Sequence, residues 1–460
     1  MARKLLKTKW IHSAFQEQSK SRTITTQLRI AAHQDRHATL PRSPARLPSA
    51  HVIPTNHEKA REAFRKFTRR QLIELDTCAH CALCTEKCPA YAASKEPNYA
   101  PGIRSSKTVK LYNRKFDLLA RLLGPRPITK EEVTELADSA FHCTMCGRCM
   151  ETCPFGIQTH ELWSKVREVV HDLEGTLPKV SMLEEMLEEN QNPYGLDPDM
   201  RLDWADYTDL EDIPEKDEAE IAYFVGCTTA FKGANHEIAF SIASILSRLG
   251  ENWTLLGEDE WCCGSPSLLA GDEHTAKEYA THNVDVIESR GVKTLITGCA
   301  GCFRVFKYEV PKLLGKKPSF NVIHAVEYLK DKLASGDLNL EPTDEKVAYH
   351  DPCELSRLGG VIEAPREALR HIAGEFIELP ENRMDVRCCG GGGLLQAANN
   401  DLRLTIVENR LSQAKELGAG IVVSACPACK LAFVDGVRAS GDDIEILDLM
   451  ELAARQLDLL

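Results

Sequence analysis

Cys227, then Cys262-Cys263-Gly264, then Cys299-Ala300-Gly301-Cys302 form a five-cysteine pattern, and Cys353, Cys388-Cys389-Gly390 and Cys426-Pro427-Ala428-Cys429 form it again. The gaps read C-x34-CC-x35-CxxC and C-x34-CC-x36-CxxC, so equivalent cysteines stand 126 or 127 residues apart. A match of that length is a duplication. The other eight of the eighteen cysteines fall into CAHCALCTEKCP (78–89) and CTMCGRCMETCP (143–154), again two copies of one pattern, and no cysteine is left over.

Three chemistries compete for so many thiols. A disulfide framework belongs to small secreted domains, but the N-terminal stretch shows no apolar leader core and a 460-residue chain needs no staples. Structural zinc closes four-ligand sites and leaves adjacent Cys-Cys pairs and fifth thiols unexplained. Iron–sulfur ligation accounts for all eighteen, and it places the chain in a compartment that protects such clusters from oxygen.

The spacing C-x2-C-x2-C-x3-C-P is the run of a two-cluster ferredoxin, in which the cysteine before proline ligates the other cluster. Cys78, Cys81, Cys84 and Cys153 are therefore expected to hold one cubane [4Fe–4S] cluster, and Cys143, Cys146, Cys149 and Cys88 its neighbour. The intervening segment is long and helix-periodic, with apolar Phe116, Leu118, Leu119, Leu122 and Leu123. A helix over about 58–76 leads into the first run and places Ala60, Ala63, Phe64, Phe67, Leu72, Ile73 and Leu75 in a core. The second run has Gly147 where the first has Ala82, which eases wrapping of the second loop.

Around the five-cysteine patterns the sequence alternates strand and helix. Ala222–Val225 and Val347–Tyr349 are expected strands leading into the first cysteine of each set, and Leu295–Gly298 and Ile421–Ser424 are strands ending at each CxxC with a helix after it. Thiols then sit at strand ends and helix N-termini, where backbone N–H groups gather around anions. Gly264 and Gly390, directly after each CC pair, let backbone approach a cluster, and Gly390–Gly393 is read that way rather than as a phosphate loop.

The two CCG patterns behind two ferredoxin runs resemble the D subunit of heterodisulfide reductase, equivalent to its C and B subunits fused, over about residues 57–455. The resemblance implies a non-cubane [4Fe–4S] cluster on each five-cysteine set, between which a disulfide is cleaved. Similar architectures serve sulfite reduction, glycolate, lactate and glycerol-3-phosphate oxidation and class II benzoyl-CoA reduction, so fold is safer than substrate. The expected fold class is α+β/α/β: a helical two-cluster ferredoxin domain followed by two tandem pseudo-symmetric α/β CCG repeats.

Residues 1–56 carry ten Lys/Arg against Glu17 and Asp35, a basic tail expected to be extended or partner-bound, while the chain as a whole is at −12. The ferredoxin domain is expected over 57–180, an acidic linker over 181–220, and the repeats over 221–342 and 343–460. In the linker fifteen acidic residues from 182 onward face only Arg201 and Lys216. His350 aligns with Phe224 of the first copy and is the candidate proton donor, being a residue able to titrate near neutrality. Thr228, Arg304, Glu354 and Lys430 also flank the cysteines and are expected to support rather than react. No apolar run approaches a membrane span. Two functions follow: a disulfide-reducing subunit fed through the cubanes, or a relay without substrate chemistry. Either needs partners, a flavoprotein, a cytochrome b or an acyl-CoA-reducing enzyme, in a cytoplasmic complex that meets a membrane only through a partner; nucleic acid is not expected.

Overall fold

The computed structural model describes residues 57–207 and 213–460, so the basic tail lies outside the described residues. The chain enters through α1 (His57–Arg65) and α2 (Arg69–Thr77). These are two helices rather than the one expected, because Thr68 caps the second: its hydroxyl accepts from Gln71 N–H while the Gln71 side chain accepts from Thr68 N–H. Ala60, Ala63, Phe64, Phe67 and Leu75 are buried, but Ile73 is exposed.

Next come α3 (Pro101–Phe116), α4 (Leu118–Leu123), α5 (Lys130–Phe141) and α6 (Thr159–Asp172). The apolar faces of α3, α5 and α6 meet over Leu111, Leu136, Phe141, Leu162 and Val166, giving this unit its own core. A further helix, α7 (Pro178–Asn190), and a 3-10 segment (Pro198–Tyr207) occupy what was expected to be a linker. The segment is not solvated: Asn192, Arg201 and Trp204 are all buried. Exposed acidic residues such as Glu185, Glu188, Asp199 and Asp203 pattern an outer face, while these three anchor the inner one.

Each repeat contains one four-stranded, wholly parallel sheet. The first consists of β1 (Ile221–Phe224), β2 (Trp253–Thr254), β3 (Thr294–Thr297) and β4 (Asn321–His324), in the order β2-β1-β3-β4. The second consists of β5 (Thr343–His350), β6 (Ala373–Glu378), β7 (Ile421–Ser424) and β8 (Glu445–Asp448), in the order β6-β5-β7-β8. The orders superpose strand for strand. Strand order reverses between β1 and β3, and again between β5 and β7, and in such sheets the crevice for a ligand opens at the carboxyl ends of that strand pair. Cys227 follows β1 and Cys299 follows β3, while Cys353 follows β5 and Cys426 follows β7. One apolar cluster, containing Ile242 and Ile296 from the first repeat and Ala348, Val423 and Phe433 from the second, joins the sheets into one core.

Candidate iron–sulfur site

In the ferredoxin unit, Cys78, Cys81, Cys84 and Cys153 line one cavity of about 300 Å³. Cys88, Cys143, Cys146 and Cys149 line a second, of about 20 Å³. The cysteine before proline thus crosses to the other run's group in each case. The first cavity is open, with Cys81 exposed; around the second, Cys88, Cys146 and Cys149 are buried. Both loops wrap with the same backbone: His80 and Ala82 in the first run and Met145 and Gly147 in the second have φ between 51° and 72°. Ala82 therefore bears strain that Gly147 avoids, yet the loop shape is the same.

The ten cysteines of the repeats form one continuous series of neighbouring thiols. Cys227 meets Cys262, Cys262 meets Cys263, Cys263 meets Cys302, and Cys302 meets Cys299. Cys299 meets Cys426 across the boundary between repeats, and Cys426 meets Cys429. The Cys429 and Cys389 sulfurs are 3.2 Å apart, Cys389 meets Cys388, and Cys388 meets Cys353. Cys388 also meets Cys146 of the ferredoxin unit.

Contact between thiols polarises them. A hydrogen bond from its neighbour holds each of Cys227, Cys263, Cys389 and Cys426 below the ordinary thiol range, while the partner side of such a bond pushes Cys262, Cys302, Cys353 and Cys429 up. Buried thiols this dense cannot all ionise unless cations lie among them, and thiolate is the form that ligates metal. The donor set fits iron–sulfur clusters: four thiols at each ferredoxin cavity and five in each repeat. Backbone N–H groups add to it, Gly390 donating to Cys388 Sγ and Gly391 to Cys389 Sγ, both at 3.3 Å.

The glycine run also packs on protein backbone. A Cβ on Gly393 would lie 2.3 Å from the Cys143 carbonyl oxygen, and one on Gly391 2.5 Å from that of Ala428. The run admits the backbone of the second ferredoxin loop, which is where close approach is needed. Arg167 spans the joint, donating to the carbonyls of Cys143 and Gly393, both at 2.9 Å. Arg357 donates to the Cys146 carbonyl at 2.6 Å, and Arg148 to Asp385 and Glu381 at 3.0 Å.

His350 sits against this site, its ring within 4.8 Å of the Cys389 and Cys429 sulfurs. It does not have the near-neutral pKa expected of a proton donor. Burial, with the Arg410 guanidinium beside it, pushes the imidazole down to about 3. Arg410 Nε donates to His350 Nδ1 at 3.2 Å, so the ring is neutral with its proton on Nε2. Of the flanking residues, Arg304 pairs with Glu354 across the repeats and with Glu309, and Lys430 pairs with Glu451. Thr228 is hydrogen-bonded with Tyr194 at 3.0 Å.

Other groups at the site were not singled out from sequence. Glu260, fully buried, accepts from Val225 and Gly226 N–H at 2.8 Å and pairs with Arg201, also at 2.8 Å, whose guanidinium lies 3.8 Å from Cys227 Sγ. Arg201, one of only two cations in an acidic stretch, was the available signal. Tyr223 Oη, His324 Nε2 and Asp448 Oδ2 are buried without a hydrogen-bond partner. His324 pairs in register with Thr297 and Asp448 with Ser424, each strand residue lying two before a CxxC cysteine. Orphaned polar atoms beside both CxxC turns fit a polar guest there. Nothing in the local sequence marks them.

The chain matches the family model of the cysteine-rich CCG domain over residues 221–307 and 347–434, and that of the 4Fe-4S dicluster domain over 74–157. The fold and thiol pattern thus define an iron–sulfur protein of the oxidoreductase class. The D subunit of dihydromethanophenazine:CoB–CoM heterodisulfide reductase from Methanosarcina acetivorans is 39% identical over 402 residues, covering 86% of this chain and 97% of that protein. Its Methanosarcina barkeri counterpart is 38% identical with the same coverage. The chain belongs to the family of heterodisulfide reductase D subunits. An EtfAB:quinone oxidoreductase from Syntrophomonas wolfei is 27% identical, covering 88% of this chain and 62% of that longer protein.

Proposed function

We propose that this chain reduces a disulfide at the two five-cysteine sites with electrons received through the ferredoxin unit. The observation that carries the reading is the unbroken series of thiols from Cys146 through Cys388 to Cys426, Cys299 and Cys227. Cys78, Cys81, Cys84 and Cys153 would hold the entry cubane, and Cys88, Cys143, Cys146 and Cys149 the second. Each repeat would hold one non-cubane [4Fe–4S] cluster on its five cysteines. Such clusters supply single electrons and iron open to sulfur.

The chain's own residues set the order of sites. Ile103 and Phe155, both exposed, rim the open first cavity, where a redox partner would dock. The Cys146–Cys388 contact supports a route that reaches the second repeat before the first, and the Cys299–Cys426 contact joins the repeats. The reaction balances as one disulfide plus two electrons and two protons giving two thiols. His350 contributes a neutral Nε2–H beside Cys389 and Cys429 as a positioning group, and the protons come from elsewhere. The partner would be a flavoprotein, a cytochrome b or an acyl-CoA-reducing enzyme in a cytoplasmic complex. The relative named as a quinone oxidoreductase favours one second reading, a relay that passes electrons without binding a disulfide.

The test is anaerobic. The chain should carry about sixteen iron atoms. Chemically reduced protein mixed with an organic disulfide should reoxidise at all its clusters and release thiol. The Cys388→Ala protein should keep its ferredoxin clusters reduced. If disulfide leaves the intact chain fully reduced while electrons still cross the assembled complex, the relay reading replaces this one.

A further inference from the structure

Helix α4 presents an apolar surface that the iron–sulfur chemistry does not use. Leu118, Leu119, Leu122 and Leu123 are 69%, 52%, 70% and 83% exposed, so four of its six side chains project into solvent and only Ala120 is buried. Among the described residues no other run of consecutive positions exposes so many leucines. A contiguous apolar patch of this kind marks a contact surface.

Its surroundings are cationic. Residues 104–130 include eight Lys/Arg and only Asp117 as an acid, in a chain whose net charge is −12; of the eight, Arg104 and Lys115 are buried and Lys107 pairs with Glu135. Arg121 lies on the helix and is exposed, with Arg126 and Lys130 exposed close after it in sequence. Arg126 is tied to Asp117, the residue that caps the helix, and Lys110 and Arg114 are tied to Glu132 of α5. At the end of α3, Lys115 is pressed downward in pKa by burial first and then by Arg114 and Arg61, a sign of the local positive field.

We infer that α4 and its basic collar rest on an anionic lipid bilayer. Leucines projecting from a short helix with cations around them suit an interface in which apolar side chains enter the headgroup–acyl boundary and cations meet the negative leaflet. The other occupants fit less well. A second copy would set one basic collar against another, and the tail 1–56, with ten Lys/Arg against two acids, carries the same sign. The redox partner belongs elsewhere: the first ferredoxin cavity is lined by Gly102, Ile103 and Ser106 at the start of α3, while α4 follows its end. At 1.5 Å per residue those two ends are about 24 Å apart. Among the described residues no helix is long and apolar enough to cross a membrane, so the contact is with the surface.

Flotation of the anaerobically purified full chain with vesicles of phosphatidylglycerol and phosphatidylcholine at a ~1:2 ratio tests this. The wild type should float with these vesicles and much less with phosphatidylcholine alone. The combined variant Leu118→Ser, Leu119→Ser, Leu122→Ser and Leu123→Ser should retain its iron and lose at least about tenfold in partitioning. Arg121→Glu should lose less. Because the basic tail could itself attract anionic lipid, a second measurement reads α4 directly: Leu122→Trp should be quenched by brominated acyl chains beyond the level of the five native tryptophans. The inference fails if the wild type does not float, if the serine variant floats equally well, or if Leu122→Trp shows no added quenching. Loss of a co-purifying protein from the serine variant, without any lipid binding by the wild type, would assign the patch to a protein partner and overturn the inference.

Discussion

The two cysteine-rich repeats share strand order and thiol spacing, yet they are held in place by different means. The second is joined to the ferredoxin unit: Cys388 meets Cys146, Arg357 and Arg148 reach across, and Gly393 packs on the Cys143 carbonyl. The first also meets that unit, Arg167 donating to the Leu269 carbonyl at 2.7 Å, but it is in addition clamped by the acidic segment, with Arg201 beside Glu260 and Cys227 and with Tyr194 on Thr228. A duplicated site has thus become directional. One copy adjoins the ferredoxin unit at Cys146, and the other lies at the far end of the thiol series behind a polar clamp.

The largest effect is expected from breaking the clamp. Arg201→Leu leaves the buried Glu260 carboxylate without its cation, which costs about 3–5 kcal/mol. Anaerobic denaturant unfolding should show that loss, with iron leaving the first repeat ahead of the second. A cost below about 1 kcal/mol would mean that the two repeats are held alike.

Gly393→Ala should act on the opposite copy. Its Cβ would meet the Cys143 oxygen at 2.3 Å, so the ferredoxin loop must move, at a cost of about 1–3 kcal/mol. Stopped-flow reduction should then show slower arrival of electrons in the second repeat with the ferredoxin clusters still reducible. The first repeat has Ser265, Pro266 and Ser267 after its CCG and cannot make this contact. Unchanged kinetics would remove the joint as the electron entry.

His350→Phe makes the second repeat match Phe224 of the first. It deprives the buried Arg410 Nε of its acceptor and should cost about 1–3 kcal/mol. Because the imidazole is held down at about 3, the wild-type rate should show no histidine titration between about pH 5 and 8. A titration there that disappears in His350→Gln would restore the proton-donor role.

The smallest effect concerns acid. Burial acts to raise the Glu381 carboxyl, but hydrogen bonds from Arg387, Arg148 and Gln413 outweigh it and hold the group down at about 2. A depressed carboxylate stabilises the fold above its unfolded pKa of about 4.3, and that stabilisation is lost as pH falls towards 2. The joint between ferredoxin unit and second repeat should therefore loosen across that window, read as rising hydrogen exchange around Arg148, while Glu381→Gln should flatten the dependence.

The sequence was most legible where covalent spacing alone sets geometry. Four strands overlap the expected apolar runs, at 221–224, 294–297, 343–350 and 421–424, the third starting four residues earlier than its apolar run. It was least legible where burial decides. The helix expected over 58–76 breaks at Thr68 because a local cap outcompetes continuation, and the acidic segment folds because Arg201 and Trp204 find partners that no local pattern reveals. The leucines of α4 follow helical periodicity and yet face solvent.

The sequence by itself determined the number of thiols, their grouping, the crossing order of the ferredoxin runs and the duplicated α/β units, because ligand spacing and strand periodicity are properties of neighbours along the chain. Only the tertiary structure decided that the two repeats bring their CxxC turns together at Cys299 and Cys426, and that Cys146 touches the second repeat rather than the first. It also decided that His350 is neutral. These depend on which distant surfaces share a core and on how far a group is removed from water, and neither quantity is carried by any local stretch of residues.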